Sequence, residues 1–573
     1  MEIDLMNILI TFSYFNLCWI ILLLLIYLEV IKLIMDKSYL TLENLDNELR
    51  SLTVDTSNYR SIIEFVFEDC IVDLMDELDS QFDSELGPPA YPRLMILLIL
   101  LFGEEKGIEH YTELNETCYT DDVFKVLINE RVPSRNILSS FIHLDEDLIF
   151  TSIFLYTLVK INDYDFFPQK NSNYLDGTDV RIDGSVNYLI TEDEIEALEL
   201  IHKFKLIHDG SKEQIRKVRL KMKLKLKYYK NHPKYAKLLG LALKRTKIYN
   251  WKVYTKIDEF KEALTNVNKN YVSINFPEAI KLKCKKNDWD MGFNLQEVMT
   301  SNSIILTGLL SQLPNDAAVL KEVEEKLKRN LIILKELEKK YGERWNYNQL
   351  QDLFLNSNTF CDSGYDGEEN NEFIQTSTIN FIVLTKKLSR QINNKLRNKN
   401  KTSTKNKKNK KKNKTLKNED DHSITDCERV ENGYICPFGK LIKLVEVIVS
   451  KCKYNEKENL PDPLLKLNYK HECADCNGCP YFMKYNEPCS IAKYTETTTE
   501  YHYELTNSFV RGDFDEYYPK RFPICEGING YLKRKNGIVF LYGHTHQAAT
   551  NHLLLKNTLY NIKRFVKLKG SVC

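Results

Sequence analysis

Apolar residues recur at helical spacing through much of the first 150 residues. From Asn58 to Leu78 they fall three and four positions apart, which predicts a helix with one buried face. Three prolines then interrupt the chain before an apolar run from Leu94 to Phe102. That run is too short to span a bilayer, so we expect a buried core helix.

Farther along the chain, the pattern alternates between β-prone runs and helical segments. It predicts a strand that ends at Asp176, a hairpin near Phe293 to Leu310 and a charged helix from Asp316 to Tyr341. Another strand leads to Asp362, and one more is expected at Phe381 to Leu384. Mixed strands and helices indicate an α/β fold.

The segment from Arg216 to Tyr229 gives two contradictory signals. Lys and Arg alternate there with Leu and Met, and a period of two favours a strand with one basic face. The same residue types have high helix propensity, which favours a helix. The element type stays open at this point, and the basic residues either follow a phosphate backbone or form a solvated face.

The charge of the chain is balanced overall but uneven along it. The 573 residues suffice for two to four domains, and the formal net charge is zero. Thr41 to Glu85 carries 13 acidic residues and two Arg, whereas Lys386 to Lys417 carries 15 basic residues and no acid. Phosphate binding depends on local clusters rather than on the total. The Lys/Asn-rich run has almost no apolar residues, so we expect a disordered linker.

The first 28 residues contain a possible membrane anchor. Residues 6–28 carry no charge and are long enough to span a bilayer. A signal peptide is less favoured, because Glu2 and Asp4 stand where positive charge is expected. The alternative is that the true start is Met35 and that the apolar stretch is misassigned upstream sequence.

Fourteen cysteines are present, and four of them form a tight cluster. The scattered others indicate a reducing compartment rather than a disulfide framework. The cluster of Cys473, Cys476, Cys479 and Cys489 could hold Zn²⁺ through four thiolates, with Cys436 and His471 as possible substitutes. An iron–sulfur cluster and the absence of any metal both remain open.

Three acidic residues occur in separate segments that place them at turns or on a helix. Asp176 and Asp362 each follow a β-prone run and precede a nearby Gly, and Glu526 lies in a stretch that reads as helical. Three carboxylates brought together can hold two divalent ions about 4 Å apart, and such ions support phosphodiester cleavage. Mg²⁺, or Mn²⁺ in its place, suits oxygen ligands. The neighbouring acids Asp179, Asp183 and Asp366 are alternative candidates.

These segments resemble those of insertion-sequence DDE transposases with a ribonuclease-H-like core. Related transposases carry Tyr-x2-Arg-x3-Glu-x6-Lys around the final Glu, and Tyr518, Arg521, Glu526 and Lys533 follow this pattern, except that Arg521 is four residues from Glu526. The resemblance implies that Asp176, Asp362 and Glu526 are catalytic and bind Mg²⁺. It also implies that Lys533, Arg521 and Tyr518 contact DNA.

Several other segments carry the same resemblance. They are Gly292–Glu297, Ile304–Thr307, Pro314–Asp316, Asn561–Arg564 and the Pro-rich stretch at Gly87–Pro92. The resemblance implies a ribonuclease-H-like α/β core with an N-terminal helical domain and a Cys-rich insertion before the final catalytic helix. The expected divisions are an apolar segment at 1–35, a DNA-end-binding helical domain at 36–150, core parts at 165–390 and 501–573, a linker at 391–425 and the Cys-rich insertion at 426–500.

The resemblance predicts a cytoplasmic enzyme that acts on double-stranded DNA, namely the terminal repeats of its element and a target site. A homodimer is expected on DNA, and membrane association through residues 6–28 remains open. Two alternatives are a membrane-anchored, metal-stapled binding protein whose acidic residues are inert and a decayed transposase that no longer acts.

Overall fold

The computed structural model describes most of the chain from residue 40 onward. The described ranges are 40–82, 91–108, 110–128, 132–144, 147–168, 172–182, 189–266, 270–283, 289–342, 345, 347–385, 423–424, 427–450, 454–455, 460–461, 466–535, 537–538, 540–541 and 545–572. The apolar segment 6–28, the Lys/Asn-rich run 386–417 and Asp183 lie outside them. Within these ranges no helix combines the length and apolarity needed to cross a membrane.

Eight of the described helices precede the first strand and form an N-terminal layer. The segment predicted as one helix from Asn58 to Leu78 is two helices, because the chain turns at Phe67 and Glu68. The predicted core helix is confirmed: every residue from Met95 to Glu104 is buried, as expected for a helix that is apolar on all sides. The helices are α1 Leu42–Ser51, α2 Ser57–Val66, α3 Asp69–Phe82, α4 Arg93–Lys106, α5 Tyr111–Thr120, α6 Asp122–Lys125, α7 Arg135–Ile142 and α8 Asp147–Asp163.

The elements after α8 mix strands with helices, so the α/β prediction is confirmed. In chain order they are β1 Ser172–Ile182, β2 Leu189–Ile190, α9 Glu192–Lys203, α10 Lys212–Tyr228, α11 Pro233–Lys244, α12 Trp251–Tyr254, α13 Ile257–Asn266, β3 Val272–Ser273, β4 Ile280–Lys283, β5 Trp289–Thr300, β6 Ile305–Ser311, α14 Leu320–Tyr341, α15 Tyr347–Leu355, β7 Asn358–Cys361, α16 Glu368–Ile374, β8 Asn380–Val383, β9 Glu428–Val430, β10 Gly433–Ile435, β11 Leu441–Val449, β12 Tyr454–Asn455, β13 Leu460–Pro461, β14 Lys466–Cys473, α17 Pro480–Tyr485, β15 Lys493–Thr499, α18 Glu500–Arg511, α19 Tyr518–Lys535, β16 Phe540–Leu541 and α20 His546–Val572.

A seven-stranded mixed sheet lies at the centre of the molecule. β1 pairs antiparallel with β5, and β5 pairs antiparallel with both β4 and β6. On the other side of β1, β7 and then β8 run parallel to it. The order β6-β5-β1-β7-β8 therefore joins an antiparallel meander to two parallel strands. The predicted hairpin and the strand near Phe381 correspond to β5–β6 and β8.

Helix α20 connects the sheet to the N-terminal layer. The side chain of the buried Asn561 accepts the Ile305 N–H at 3.0 Å and donates to the Ile305 carbonyl at 2.9 Å. Nδ2 of Asn551 donates to the Ile142 carbonyl at 2.9 Å. The N-terminal helices and the sheet share one hydrophobic core, so these two parts of the chain pack as one body.

A helical unit at residues 189–274 has a hydrophobic core of its own. It includes Arg216–Tyr229, whose element type the sequence left open, and that segment is helix α10. The hydroxyl of Ser211 accepts the Gln214 N–H at the start of this helix. Val218 and Met222 are its buried residues. Burial at a spacing of four residues explains why the helix forms despite the period-two alternation of Lys and Leu.

Residues 428–499 contain a second, five-stranded antiparallel sheet in the order β15-β14-β11-β10-β9. Its hydrophobic cluster is small and includes Cys427, Tyr434, Cys436, Ile442 and Ile491. Val445, Val447 and Val449 on β11 are exposed. This sheet therefore buries little apolar surface of its own, and α18 follows it directly.

Candidate active site

Asp176 lies on the central strand β1, where both of its carboxylate oxygens are hydrogen-bonded. Arg521 Nη1 donates to Oδ1 at 2.9 Å, and Asn529 Nδ2 donates to Oδ2 at 2.8 Å. The expectation that Asp176 ends its strand is wrong, because β1 continues to Ile182 through an uninterrupted pairing with β5. Gly177 is thus a strand residue rather than a turn residue.

Asp362 follows β7 directly, as the sequence predicts, and lies beside Asp176. Tyr174 on β1 pairs in parallel with Phe360 on β7, and each acid is two residues farther along its chain. Asp362 Oδ1 accepts the Gly364 N–H at 2.5 Å. Its Oδ2 is 3.6 Å from Arg521 Nη2. The two aspartates therefore share one guanidinium group.

Glu526 lies on α19, which packs against β1, and its side chain is exposed. The charges of the other two acids act on the pKa of Asp176. Burial raises that pKa most strongly, Arg521 opposes the rise, and the charges of Asp362 and Glu526 add to it. The net result is a raised pKa. The Arg521 guanidinium therefore faces two carboxyl groups, those of Asp176 and Asp362.

The other residues of the resembling motif also lie on α19. The ammonium group of Lys533 donates a hydrogen bond to the Thr178 hydroxyl, one strand position beyond Gly177. Tyr518 begins the helix and packs against two aromatic rings. Its ring centroid is 5.3 Å from that of Phe509 and 6.4 Å from that of Phe360. Arg521 is mostly buried against the two aspartates, despite its extra residue of separation from Glu526.

Sequence reasoning missed Asn529, which contacts Asp176 directly. It lies eight residues after Arg521, which places it about 80° farther around α19 but still within the broad face that packs on β1. The helical period was therefore the signal that could have identified it. Its amide is uncharged, and no motif of the resembling family includes it.

Asp316 is a fourth carboxylate beside the site. Its Oδ1 accepts hydrogen bonds from Gln296 at 2.8 Å and Asn294 at 3.0 Å. A methyl group added at Gly364 would lie 2.8 Å from Asp362 Oδ1 and 3.5 Å from Asp316 Oδ2, so the two carboxylates flank this glycine. A methyl group added at Gly177 would lie 2.5 Å from Asp316 Oδ1. Both glycines permit a close approach that a larger residue would block.

Glu297 is buried opposite Asp176 in the register of β1 and β5. Among the described residues, none donates a hydrogen bond of good geometry to either of its carboxylate oxygens, although the Asn557 side chain lies nearby. Burial raises its pKa to about 8; the neighbouring Asn557 and the charge of Lys533 oppose this rise, and the charge of Asp176 adds to it. Glu297 is therefore largely protonated at neutral pH, and it adds little negative charge to the site.

The alternative candidates have other partners. Asp366 accepts a hydrogen bond from Asn371 at 3.1 Å and is 3.9 Å from His502. Asp179 is exposed on β1 and lies near Lys533.

The clustered cysteines lie at one end of the second sheet, together with Cys436. Cys473 ends β14, Cys479 precedes α17, and Cys436 follows β10, where its sulfur accepts the Lys440 N–H at 3.3 Å. Burial raises the pKa of Cys489, and the neighbouring thiols of Cys479, Cys436 and Cys473 raise it further. His471 is directed elsewhere, because its Nε2 is 3.2 Å from the Tyr503 hydroxyl.

Within the described ranges, no group of three or more His, Cys, Asp or Glu side chains is arranged to hold an ion. The carboxylate of Asp176 is hydrogen-bonded by Arg521 and Asn529.

Comparison with known proteins identifies one family. The family described as Transposase domain (DUF772) matches residues 55–144, which form most of the N-terminal layer from α2 to α7. No curated protein matches the chain, and no solved structure does. The matched residues include none of the three acids. The match supports a transposase family for this chain.

Proposed function

We propose that this protein is a DDE transposase that cuts and joins the DNA ends of an insertion sequence. The observation that carries the proposal is the placement of Asp176 and Asp362 side by side on adjacent parallel strands, with Glu526 on the helix that packs against the first of them. The family match at residues 55–144 supports the same class of protein independently. It also weighs against a membrane-anchored binding protein.

Two features support a ribonuclease-H-like core. The strand order β6-β5-β1-β7-β8, with three antiparallel strands followed by two parallel ones, is the order of that fold. The first acid lies on the central strand, the second follows the adjacent parallel strand, and the third lies on a helix after the second sheet. In this proposal residues 426–500 are an insertion into the core.

Carboxylate oxygens are the donor type that Mg²⁺ or Mn²⁺ prefers, although in the described structure these side chains are not gathered around one ion position. Asp176 and Asp362 already share one cation, the Arg521 guanidinium, at 2.9 and 3.6 Å. Asp176, Asp362 and Glu526 would hold the metal ions, and a bound pair supplies activation of the attacking hydroxyl and stabilisation of the leaving oxygen. A divalent cation would compete with Arg521 for the same two carboxylates.

The residues around the acids position them and face the substrate. Arg521 and Asn529 together fix both oxygens of Asp176. Lys533 lies beside β1, where its charge can bind a phosphate near the scissile bond. If a metal ion held the two aspartates, the guanidinium of Arg521 would be available to a phosphate as well. Tyr518 begins the same helix and can contact the DNA end.

Substitution of each acid tests the proposal. Asp176→Asn, Asp362→Asn and Glu526→Gln should each abolish Mg²⁺-dependent cleavage of a duplex that carries the element's end, while a gel shift with that duplex persists. Asp366→Asn is the matched control and should cleave normally. If Asp366 proves essential and Asp362 does not, the second carboxylate is misplaced. If all four variants cleave, the protein is not a DDE enzyme.

We further propose that the clustered thiols bind one structural Zn²⁺. The small hydrophobic cluster of the second sheet supports this, because a metal would supply folding energy that the core lacks. Four thiolates would hold the ion, either those of Cys473, Cys476, Cys479 and Cys489 or a set in which Cys436 replaces one of them, whereas His471 is directed to Tyr503. Elemental analysis of protein purified without added metal should find about one zinc, and less in Cys479→Ser. Iron with a brown absorbance would instead identify an iron–sulfur centre.

The partners follow from the proposed reaction. The DNA ends of the element and a target duplex are the substrates, and the N-terminal layer is proposed to help bind those ends. A homodimer would bring two ends together. A decayed element would fold and bind DNA but fail the cleavage assay in its unmutated form.

A further inference from the structure

The helical unit at 189–274 presents a strongly basic helix to solvent. Helix α10 turns Val218 and Met222 inward, and nearly all its cationic side chains are exposed. Eight basic residues and no acid occur from residue 216 to residue 230. Helix α10 therefore carries a high density of exposed positive charge.

The acids of the unit do not neutralise α10. On the neighbouring helix α9, Asp193, Glu196 and Glu199 are engaged by lysines of α11 and α13: the ion pairs are Lys237–Asp193, Lys234–Glu196 and Lys261–Glu199. Within α10 itself, Lys217 pairs with Glu213. Among the described residues, the exposed cations Arg216, Arg219, Lys221, Lys223 and Lys227 have no acidic partner.

Exposed apolar side chains lie among these cations. Leu220, Leu224 and Tyr228 are 62%, 61% and 82% exposed and follow one another at intervals of four residues. They therefore form a stripe along the outer face of α10. A solvated helix gains nothing from exposing three large apolar side chains in a row, whereas a stripe within a contact surface does.

We infer that the outer face of α10 binds the sugar–phosphate backbone of duplex DNA. Unneutralised Lys and Arg release counterions when they bind phosphates, which gives affinity without sequence preference. Leu220, Leu224 and Tyr228 would lie against the sugars between the contacted phosphates. This inference rests on the proposed function and assigns part of the DNA contact to a unit outside both the three acids and the matched N-terminal layer.

The N-terminal layer gives a reason for a separate basic surface. Residues 41–85 carry 13 acidic residues and two Arg, so this part of the N-terminal layer repels a phosphate backbone, and the proposed contact of the layer with the DNA ends would fall on its later helices. A DNA duplex held at the carboxylate site needs cations elsewhere on the molecule, and α10 supplies the densest described set.

Charge-neutral variants test this surface. The triple variant Arg219→Gln, Lys223→Gln, Lys227→Gln removes three exposed cations from α10. Its control, Lys321→Gln, Lys335→Gln, Lys339→Gln, removes three exposed lysines from α14. Binding to a labelled random-sequence 30-base-pair duplex is measured by fluorescence anisotropy between 50 and 300 mM NaCl. Circular dichroism should show that both variants remain folded.

For the α10 variant we expect at least a tenfold loss of affinity at 100 mM NaCl. The slope of log affinity against log salt should become shallower by about 3, since each lost phosphate contact changes it by about 0.9. The control should keep the slope of the unmutated protein. An unchanged slope in the α10 variant would overturn the inference but leave the proposed function intact.

Two further measurements test whether α10 binds duplex DNA or an acidic polypeptide. If the unmutated protein does not bind the duplex even at 50 mM NaCl, both the inference and the proposed function fail. If poly-L-glutamate of equal charge displaces the duplex at equal concentration, α10 recognises acidic polypeptide rather than nucleic acid. We expect poly-L-glutamate to compete at least tenfold more weakly.

Discussion

Two groups of charged side chains in this protein differ in their burial and in how completely their negative charges are paired. At the contact of α4 with α20, both oxygens of Glu104 are occupied, by His552 at 2.6 Å and by Lys556 at 2.5 Å. The three side chains are 8%, 5% and 2% exposed. At the carboxylate site, one Arg521 serves both Asp176 and Asp362, and Asp362 remains 41% exposed. The first group is saturated and closed, whereas the second has excess negative charge and is open.

The pKa values of Glu104 and Asp176 reflect this difference in charge pairing. Burial alone would raise the pKa of Glu104, but Lys556 and His552 outweigh it and hold that pKa at about 2. Arg521 does not outweigh burial at Asp176, whose pKa is raised. A saturated carboxylate can only stabilise the fold, whereas carboxylates in excess over their cations retain capacity for another cation. Removing a cation should therefore affect stability at the first site and activity at the second.

The largest expected effect is on stability, at Lys556. Lys556→Met leaves a buried Glu104 with His552 as its remaining partner, and breaking a buried pair in this way costs about 3–5 kcal/mol. Thermal denaturation should show a clearly lower Tm. Lys567→Met on the exposed side of the same helix is the control and should change the Tm little. Equal Tm values for the two variants would show that the Glu104 group is not a stabilising contact.

The second-largest expected effect is a lower rate of DNA cleavage when Arg521 is replaced. Arg521→Gln should lower the rate of cleavage about 100-fold, because the two aspartates lose their shared donor. We expect a smaller change in Tm than for Lys556→Met, since Asp362 reaches solvent. Arg521 lowers the pKa of Asp176, so its loss should raise that pKa and move the acidic limb of the pH–rate profile to higher pH. A profile that keeps its position would contradict the electrostatic role.

The central sheet and the adjacent positions of Asp176 and Asp362 could be predicted because local pattern and tertiary structure agree there. Apolar strands, the β5–β6 hairpin and the Gly turn after Asp362 are short-range features. Asp176 shows where this agreement stops, because Asp-Gly is a common turn signal. Nine consecutive pairs with β5 hold Gly177 within the strand instead, and no sequence window contains both strands.

The residues that the sequence missed or left open depend on contacts between distant segments. Asn529 and Asp316 contribute through partners on other elements, so their residue types alone carry no signal. Helix α10 was ambiguous because its Lys/Leu alternation has period two, and only the burial of Val218 and Met222 shows which period matters. Cys436 is 37 residues before Cys473 in the sequence, and the pairing of β11 with β14 brings the two together.

The smallest expected effect concerns the hydrogen bond from Asn529 to Asp176. Asn529→Ala frees Asp176 Oδ2 but leaves Arg521 in place, so we expect about a tenfold slower cleavage with unchanged gel-shift affinity. Asn529→Asp should be worse, because a new carboxylate beside Asp176 raises the pKa of Asp176 and moves the acidic limb of the pH–rate profile to higher pH. Asn551→Ala is the control: it also removes a buried amide donor, but it should lower the Tm without moving that limb. If Asn529→Asp leaves the profile in place, Asn529 only packs the helix, and Arg521 alone positions Asp176.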